Sequence, residues 1–128
     1  MLSGVFFDIQ SFNCESVEGS QTKLLATVSL NDSHPIFTGH FPGNPVVPGV
    51  CQIQMIKELV EKAVKQQLRL TESDNIKFLS MISPLVNKQL EFVVQIKPSE
   101  ERQIVVIASI GAGTTQFLKF KGKFQPAG

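Results

Sequence analysis

The chain reads as an α+β domain, a mostly antiparallel sheet built around one long helix. Three observations predict it. Apolar and polar residues alternate strictly in several stretches at both ends of the sequence. A single segment between them has helical periodicity. One helix cannot supply the crossovers that a parallel sheet of so many strands would need, so the strands run antiparallel. The length of 128 residues suits one domain, 1–128, large enough to bury a core.

Near the start, Val5, Phe7 and Ile9 alternate with Phe6, Asp8 and Gln10. Leu24, Ala26, Val28 and Leu30 then share a face opposite Lys23, Thr27 and Ser29, with Glu18-Gly19-Ser20 as the hairpin turn between the two strands. The texture changes from Asn31 to Gly49, which holds Pro35, Pro42, Pro45 and Pro48 with Gly39, Gly43 and Gly49. Prolines fix φ and remove donors, so neither a helix nor a central strand is expected there. The same stretch carries Ile36, Phe37, Phe41, Val46 and Val47, too much apolar mass for a solvated linker. It reads as an ordered loop packed on the body, the kind of segment where function concentrates.

A helix is predicted from about Gly49 to Leu68, with Pro48 and Gly49 suiting its first turn. Met55, Ile56, Leu59, Val60, Ala63 and Val64 fall on one broad arc, and Glu58, Glu61, Lys62 and Lys65 on the other. Thr71-Glu72-Ser73-Asp74 reads as its end. Four strands follow: Ile76 to Ile82, stopped by Ser83-Pro84; Leu90 to Ile96; Gln103 to Ile110, apolar on both faces and therefore central; and Leu118 to Phe124.

Lys+Arg is 12 against Asp+Glu 11, a net charge of +1, which supplies no global field for nucleic acid or an anionic membrane. No apolar run approaches the roughly 18–20 residues that span a bilayer. Met1 to Ser11 lacks a basic start and carries Asp8, unlike a signal peptide. Cys14 and Cys51 make no disulfide framework, and with His34 and His40 they show no metal-ligand spacing. The expectation is a reduced, cytoplasmic setting and no metal.

The stretch from His34 to Gln54 carries the chemistry. Gly39-His40-Phe41-Pro42-Gly43, then Pro45, then Pro48-Gly49-Val50 leading into the helix, resembles the signature of the 3-hydroxyacyl-acyl carrier protein dehydratases. About twenty residues match as a motif. The rest of the chain agrees in element order and length. The resemblance implies the hot-dog fold, a long central helix wrapped by a curved antiparallel sheet. It implies that His40 removes the proton α to a thioester carbonyl, and an imidazole that titrates near neutrality suits a base. It implies that the Gly49 N–H, with that of Val50, polarises the carbonyl from the helix N-terminus, where free N–H groups favour developing negative charge. Pro48 and Phe41 would line the substrate site. The acyl chain would ride on an acyl carrier protein or coenzyme A, with no further cofactor. The family builds its sites between two subunits, which implies a homodimer or a hot-dog heterodimer.

The family places a carboxylate fourteen residues after the histidine, where it helps the β-hydroxyl leave as water; here that position is Gln54. An amide can hold a water or hydroxyl but cannot donate and regain a proton near pH 7. General acid–base help is worth roughly 10²–10⁴-fold, about 3–5 kcal/mol of barrier. Glu58, displaced by ~6 Å along the helix, is the nearest substitute, with Glu61 a further turn on. Asn87-Lys88 also stands near a family Gly-Asp pair, which points to a specialised relative in a secondary acyl or polyene-type pathway. Three readings follow: a 3-hydroxyacyl-thioester dehydratase, an inactive acyl-binding or heterodimer-stabilising subunit, and a thioesterase on the same fold.

Bland readings stand beside these. His40 as a packed histidine would be the default outside its Gly-His-Phe-Pro setting. His34 reads as ordering the loop, Cys51 as a buried structural thiol, and Phe37 and Phe41 as core or tunnel wall. Gln54 is a substrate-facing group or a boundary residue of the helix. Lys119, Lys121 and Lys123 form a solvated edge against aggregation, or a dock for an acidic carrier protein or its phosphate.

Overall fold

A computed structural model of the chain describes residues 2–39 and 43–127. The elements are β1 (Phe7–Val17), β2 (Gln21–Leu30), α1 (Ile36–Gly39), α2 (Gly49–Val64), β3 (Leu68–Phe78), β4 (Gln89–Pro98), β5 (Ile104–Ala112) and β6 (Thr115–Pro126). The six strands form one sheet in the order β1-β2-β4-β5-β6-β3. Every neighbouring pair is antiparallel.

Register explains the core. Leu24 lies opposite Val94, Val94 opposite Ala108, Ala108 opposite Phe120 and Phe120 opposite Ile76, so one inward row crosses five strands. The next row runs Ala26, Phe92, Ile110, Leu118. Met55, Ile56, Leu59 and Val60 of α2 are fully buried in the same cluster as these rows. Burying each such side chain stabilises by about 1.5–3 kcal/mol. The wide apolar arc of the sequence therefore beds into the sheet as expected, and β5, apolar on both faces, lies inside the sheet.

Three expectations need correction. The helix stops at Val64, short of Leu68, because Lys65 takes a left-handed conformation (φ 57°) and its N–H bonds Glu61 O. Thr71 to Asp74 is therefore no terminating turn; it lies within β3, which ends at Phe78 and leaves Ser80 and Ile82 in the following loop. β3 is an edge strand with mostly exposed side chains, so it carries little alternation to read. Finally, the Pro-rich segment contains a single helical turn, α1. Pro35 precedes it, Thr38 Oγ1 donates back to Pro35 O at 2.7 Å, and His34 Nδ1 accepts from Ile36 N at 3.1 Å.

Two irregularities in β3 flank the pairing of Ser73 with Gly122 of β6. A Cβ at Gly122 would stand 2.7 Å from Glu72 O and 2.7 Å from Phe120 Cζ. Backbone cannot yield cheaply there, so Gly122→Ala is expected to cost about 1–3 kcal/mol. A urea titration measures it, and an unchanged midpoint contradicts this close approach.

Candidate functional site at the start of the central helix

The N-terminus of α2 faces a cavity of about 450 Å³ lined by Val46, Val47, Pro48, Gly49, Gln52, Phe78, Leu79, Ser80 and Met81. Pro48 is the N-cap and supplies no side-chain cap. Its carbonyl accepts from Cys51 N at 3.0 Å and Gln52 N at 3.1 Å. The N–H groups of Gly49 and Val50 have no partner among the described residues. A helix of 16 residues thus presents two free donors and the positive end of its dipole. A Cβ at Gly49 would stand 2.8 Å from the tip of the Phe78 ring, so the ring, which is half exposed, would have to move aside. The Val50 side chain is 78% exposed and does not line the cavity, so its contribution reduces to its backbone. Pro48 is buried and does line it. His40 and Phe41 lie outside the described residues.

Gln52 went unmarked in the sequence. It sits three residues after Gly49, on the same side of the helix, and only 3% of it is exposed. Its Nε2 donates to Val47 O at 3.3 Å, and its Oε1 has no hydrogen-bond partner. The signal was available: a polar residue at i, i+3, i+4 and i+7 spacing with Met55, Ile56 and Leu59 interrupts the apolar stripe.

Gln54 is directed elsewhere. It lines a separate polar cavity of about 270 Å³ with Lys57, Glu58, Glu61 and Gln67. Its Nε2 donates to Glu58 Oε2 at 2.8 Å. Glu58, placed on the solvated arc by its charge, is buried. Its two oxygens also accept from the chain's own start, Leu2 N to Oε2 at 2.7 Å and Ser3 N to Oε1 at 2.8 Å. Glu61 Oε2 accepts from Leu68 N at 2.8 Å. Both carboxylates near Gln54 are thus occupied in fixing backbone.

The remaining candidates have local roles. His34 orders the α1 turn and meets Phe6 edge-on at 5.3 Å. Phe37 is buried in the core. Burial pushes the Cys51 thiol up from its ordinary range, which leaves little thiolate for nucleophilic attack at neutral pH. Lys119 and Lys121 project from an inner strand, so the solvated-edge reading does not hold for them. With Lys77 they border a concavity of about 350 Å³ on the sheet, and Lys123 instead pairs with Glu72 at 3.7 Å. Among the described residues there is no cluster of three metal-ligating side chains, and no helix is long and apolar enough to cross a membrane.

A helix lying in one antiparallel six-stranded sheet, with its free N-terminus at an apolar cavity, is the hot-dog architecture. Residues 15–123 match the family model described as ApeI-like, ApeI dehydratase, and the chain belongs to this family. A 3-hydroxyacyl-[acyl-carrier-protein] dehydratase FabZ from Caldicellulosiruptor saccharolyticus is 31% identical over 77 residues, 55% of this chain and 54% of that protein. The chain spans about half the length of the curated relatives it matches. Among solved structures, an uncharacterized protein from Erwinia carotovora subsp. atroseptica superposes with a TM-score of 0.72 at 22% identity, covering 95% of this chain and 98% of that one. The dehydratase heterocomplex ApeI:P from Xenorhabdus doucetiae gives 0.64 at 17%, covering 92% and 96%. A hypothetical thioesterase from Streptococcus pneumoniae, solved with coenzyme A, gives 0.62 at 14%, covering 95% and 86%. At these identities the structural likeness concerns the fold.

Removing an acceptor from a buried network leaves donors unpaired. Glu58→Gln would turn an NH₂ group toward one of the N–H donors of Leu2, Ser3 or Gln54. A loss of about 1–3 kcal/mol is expected in chemical denaturation, with faster hydrogen exchange at Leu2 and Ser3. Wild-type stability with unaltered exchange would show that this clasp holds nothing.

Proposed function

We propose that the chain handles 3-hydroxyacyl thioesters in the manner of a dehydratase, eliminating water in fatty acid or related acyl or polyene biosynthesis. The observation that carries this is the N–H of Gly49, without a partner among the described residues, on the wall of an apolar cavity, with that of Val50 next to it in the same first turn. Such donors favour the oxyanion that forms when the α-proton leaves. His40 takes that proton, and the 3-hydroxyl departs as water. Pro48 and Phe41 bound the acyl path. The substrate arrives on the phosphopantetheine of an acyl carrier protein or on coenzyme A, no other cofactor takes part, and the setting is cytoplasmic.

Gln54 limits the reaction. It opens on a different cavity from Gly49, so a polar group reaching the substrate from this helix position comes from a second subunit. A homodimer then supplies an amide, and a hot-dog heterodimer supplies whatever its partner carries. Exposed Phe78, Leu79, Met81, Leu85 and Val86, at the end of β3 and along the segment that joins it to β4, support such an interface. The second reading, an acyl-binding subunit without turnover, is favoured by the Gln54–Glu58 hydrogen bond, which ties up the nearer of the two carboxylates.

Conversion of a 3-hydroxyacyl thioester to the enoyl product separates the two. Slow wild-type turnover is expected, lost in His40→Ala and raised about 10²–10⁴-fold in Gln54→Glu. No product from the wild type but product from Gln54→Glu means a degenerate site. No product from either, with the thioester still bound, favours the accessory subunit.

The interface has its own test. Sedimentation equilibrium is expected to give twice the 14.1 kDa chain mass for the wild type. Met81 and Val86 are 72% and 79% exposed, so replacing both with Asp costs the monomer little and shifts the species to one chain. A wild-type monomer would refute the two-chain site.

A further inference from the structure

We propose that the outer face of the sheet binds a small phosphate ester, a ligand with an apolar or aromatic body and two linked phosphoryl groups, between Lys77, Lys119 and Lys121. The site is separate from the helix-start cavity and does not rest on the thioester reading.

Strand register builds it. β6 alternates buried Leu118 and Phe120 with exposed Lys119 and Lys121, so both lysines stand on the face turned away from α2. Lys119 is directly opposite Lys77 of β3 and Ser109 of β5, and Ser109 is opposite Val93 of β4. Lys121 is opposite Asn75 and Ile107, and Ile107 is opposite Gln95. All of these residues line the concavity of about 350 Å³. That volume falls within the roughly 300–1,000 Å³ of small-ligand sites. Part of its floor is apolar: Val93 is 41% exposed although its strand lies inside the sheet, and Ile107 is half-buried.

The charge is what a ligand would relieve. Side chains directly opposite each other stand about 4.5–5.5 Å apart at Cβ, and like charges so placed repel. Lys121 follows on the same face, ~7 Å along the strand from Lys119. No Asp or Glu lines the cavity, and the one ion pair among the described residues, Lys123 with Glu72, lies outside it. A chain of net charge +1 thus gathers three of its 12 basic residues round one hollow with no counter-charge. Edge protection does not explain this, because β6 is paired on both sides. Ammonium groups hold phosphate as point charges. Three of them spread over two positions of a strand match two linked phosphoryl groups better than one, and Val93 and Ile107 then take the apolar body. A concave wall of this size suits a small ligand rather than a protein surface.

Isothermal titration of the full chain tests this with ADP as the probe, beside adenosine and inorganic pyrophosphate. ADP is expected to bind at least tenfold more tightly than either, since each carries only half of the match. Added salt is expected to weaken ADP far more than adenosine. Lys119→Gln/Lys121→Gln is expected to lower ADP affinity at least tenfold and to melt no lower, because like charges leave neighbouring positions. Lys88→Gln, outside the cavity, is expected to change nothing. If the double variant fails to fold, Lys77→Gln on the edge strand carries the comparison. A 3-hydroxyacyl coenzyme A thioester separates two sources of such an ester. It excludes ADP if the phosphates belong to the thioester's own carrier, and binds beside ADP if they belong to a free nucleotide; either result supports the site. Absence of ADP binding overturns the proposal, as does an affinity unaltered in the folded variant. Pyrophosphate binding as tightly as ADP also overturns it, since the apolar floor then takes no part. So does hexaglutamate binding where ADP does not, which makes this face a dock for an acidic protein.

Discussion

The burial of one helical stripe governs this molecule. Met55, Ile56, Leu59 and Val60 can leave water only against the inward rows of the sheet, which fixes the rotation of α2 about its axis. Everything functional follows from that rotation. Gly49 and Gln52 turn toward the Phe78–Met81 loop and share its cavity. Gln54 and Glu58 turn toward the chain's first residues and share another. A single helix thus serves two polar environments, and no side-chain motion can exchange them without unseating the core.

The two environments are built on different principles. At the helix start the polar atoms are left unpaired, which a folded protein tolerates where a ligand will pair them. Around Glu58 the reverse holds: its carboxylate takes three hydrogen bonds from Leu2, Ser3 and Gln54. That saturation is structural. It fastens the start of the chain to the central helix across more than fifty residues of sequence, beside the cluster that buries Phe6 and Phe7.

Much of the fold was legible because its elements obey simple periods. β4 and β5 alternate or run apolar, and α2 repeats on one arc, so local pattern and tertiary burial agree. β3 failed as a prediction because an edge strand with mostly exposed side chains needs no alternation, and its polar Thr71–Asp74 looked like a turn. The α1 turn was hidden by the prolines around it. Within the site, the backbone donors of Gly49 and Val50 followed from the motif, since helix starts always leave N–H groups free. Gln52 was missed although it breaks the apolar stripe. Glu58 was misassigned because its burial depends on the chain's start folding over it, a contact no local period encodes.

The same contact offers a physical reason for the amide at position 54. A carboxylate there would stand where Gln54 Nε2 now lies, 2.8 Å from Glu58 Oε2. Two carboxylates at that distance cannot both remain charged, so they would hold one proton between them. An amide removes the conflict and adds a donor to the clasp. Gln54 and the fastened chain start therefore belong together: as long as Glu58 binds Leu2 and Ser3, a neutral donor at 54 is the favoured neighbour. A glutamate restored at 54 would carry or share that proton, which is the state in which a carboxyl group can hand a proton to a departing hydroxyl. What fastens the chain start in this protein is, on that account, the same choice of residue that would slow the proposed elimination.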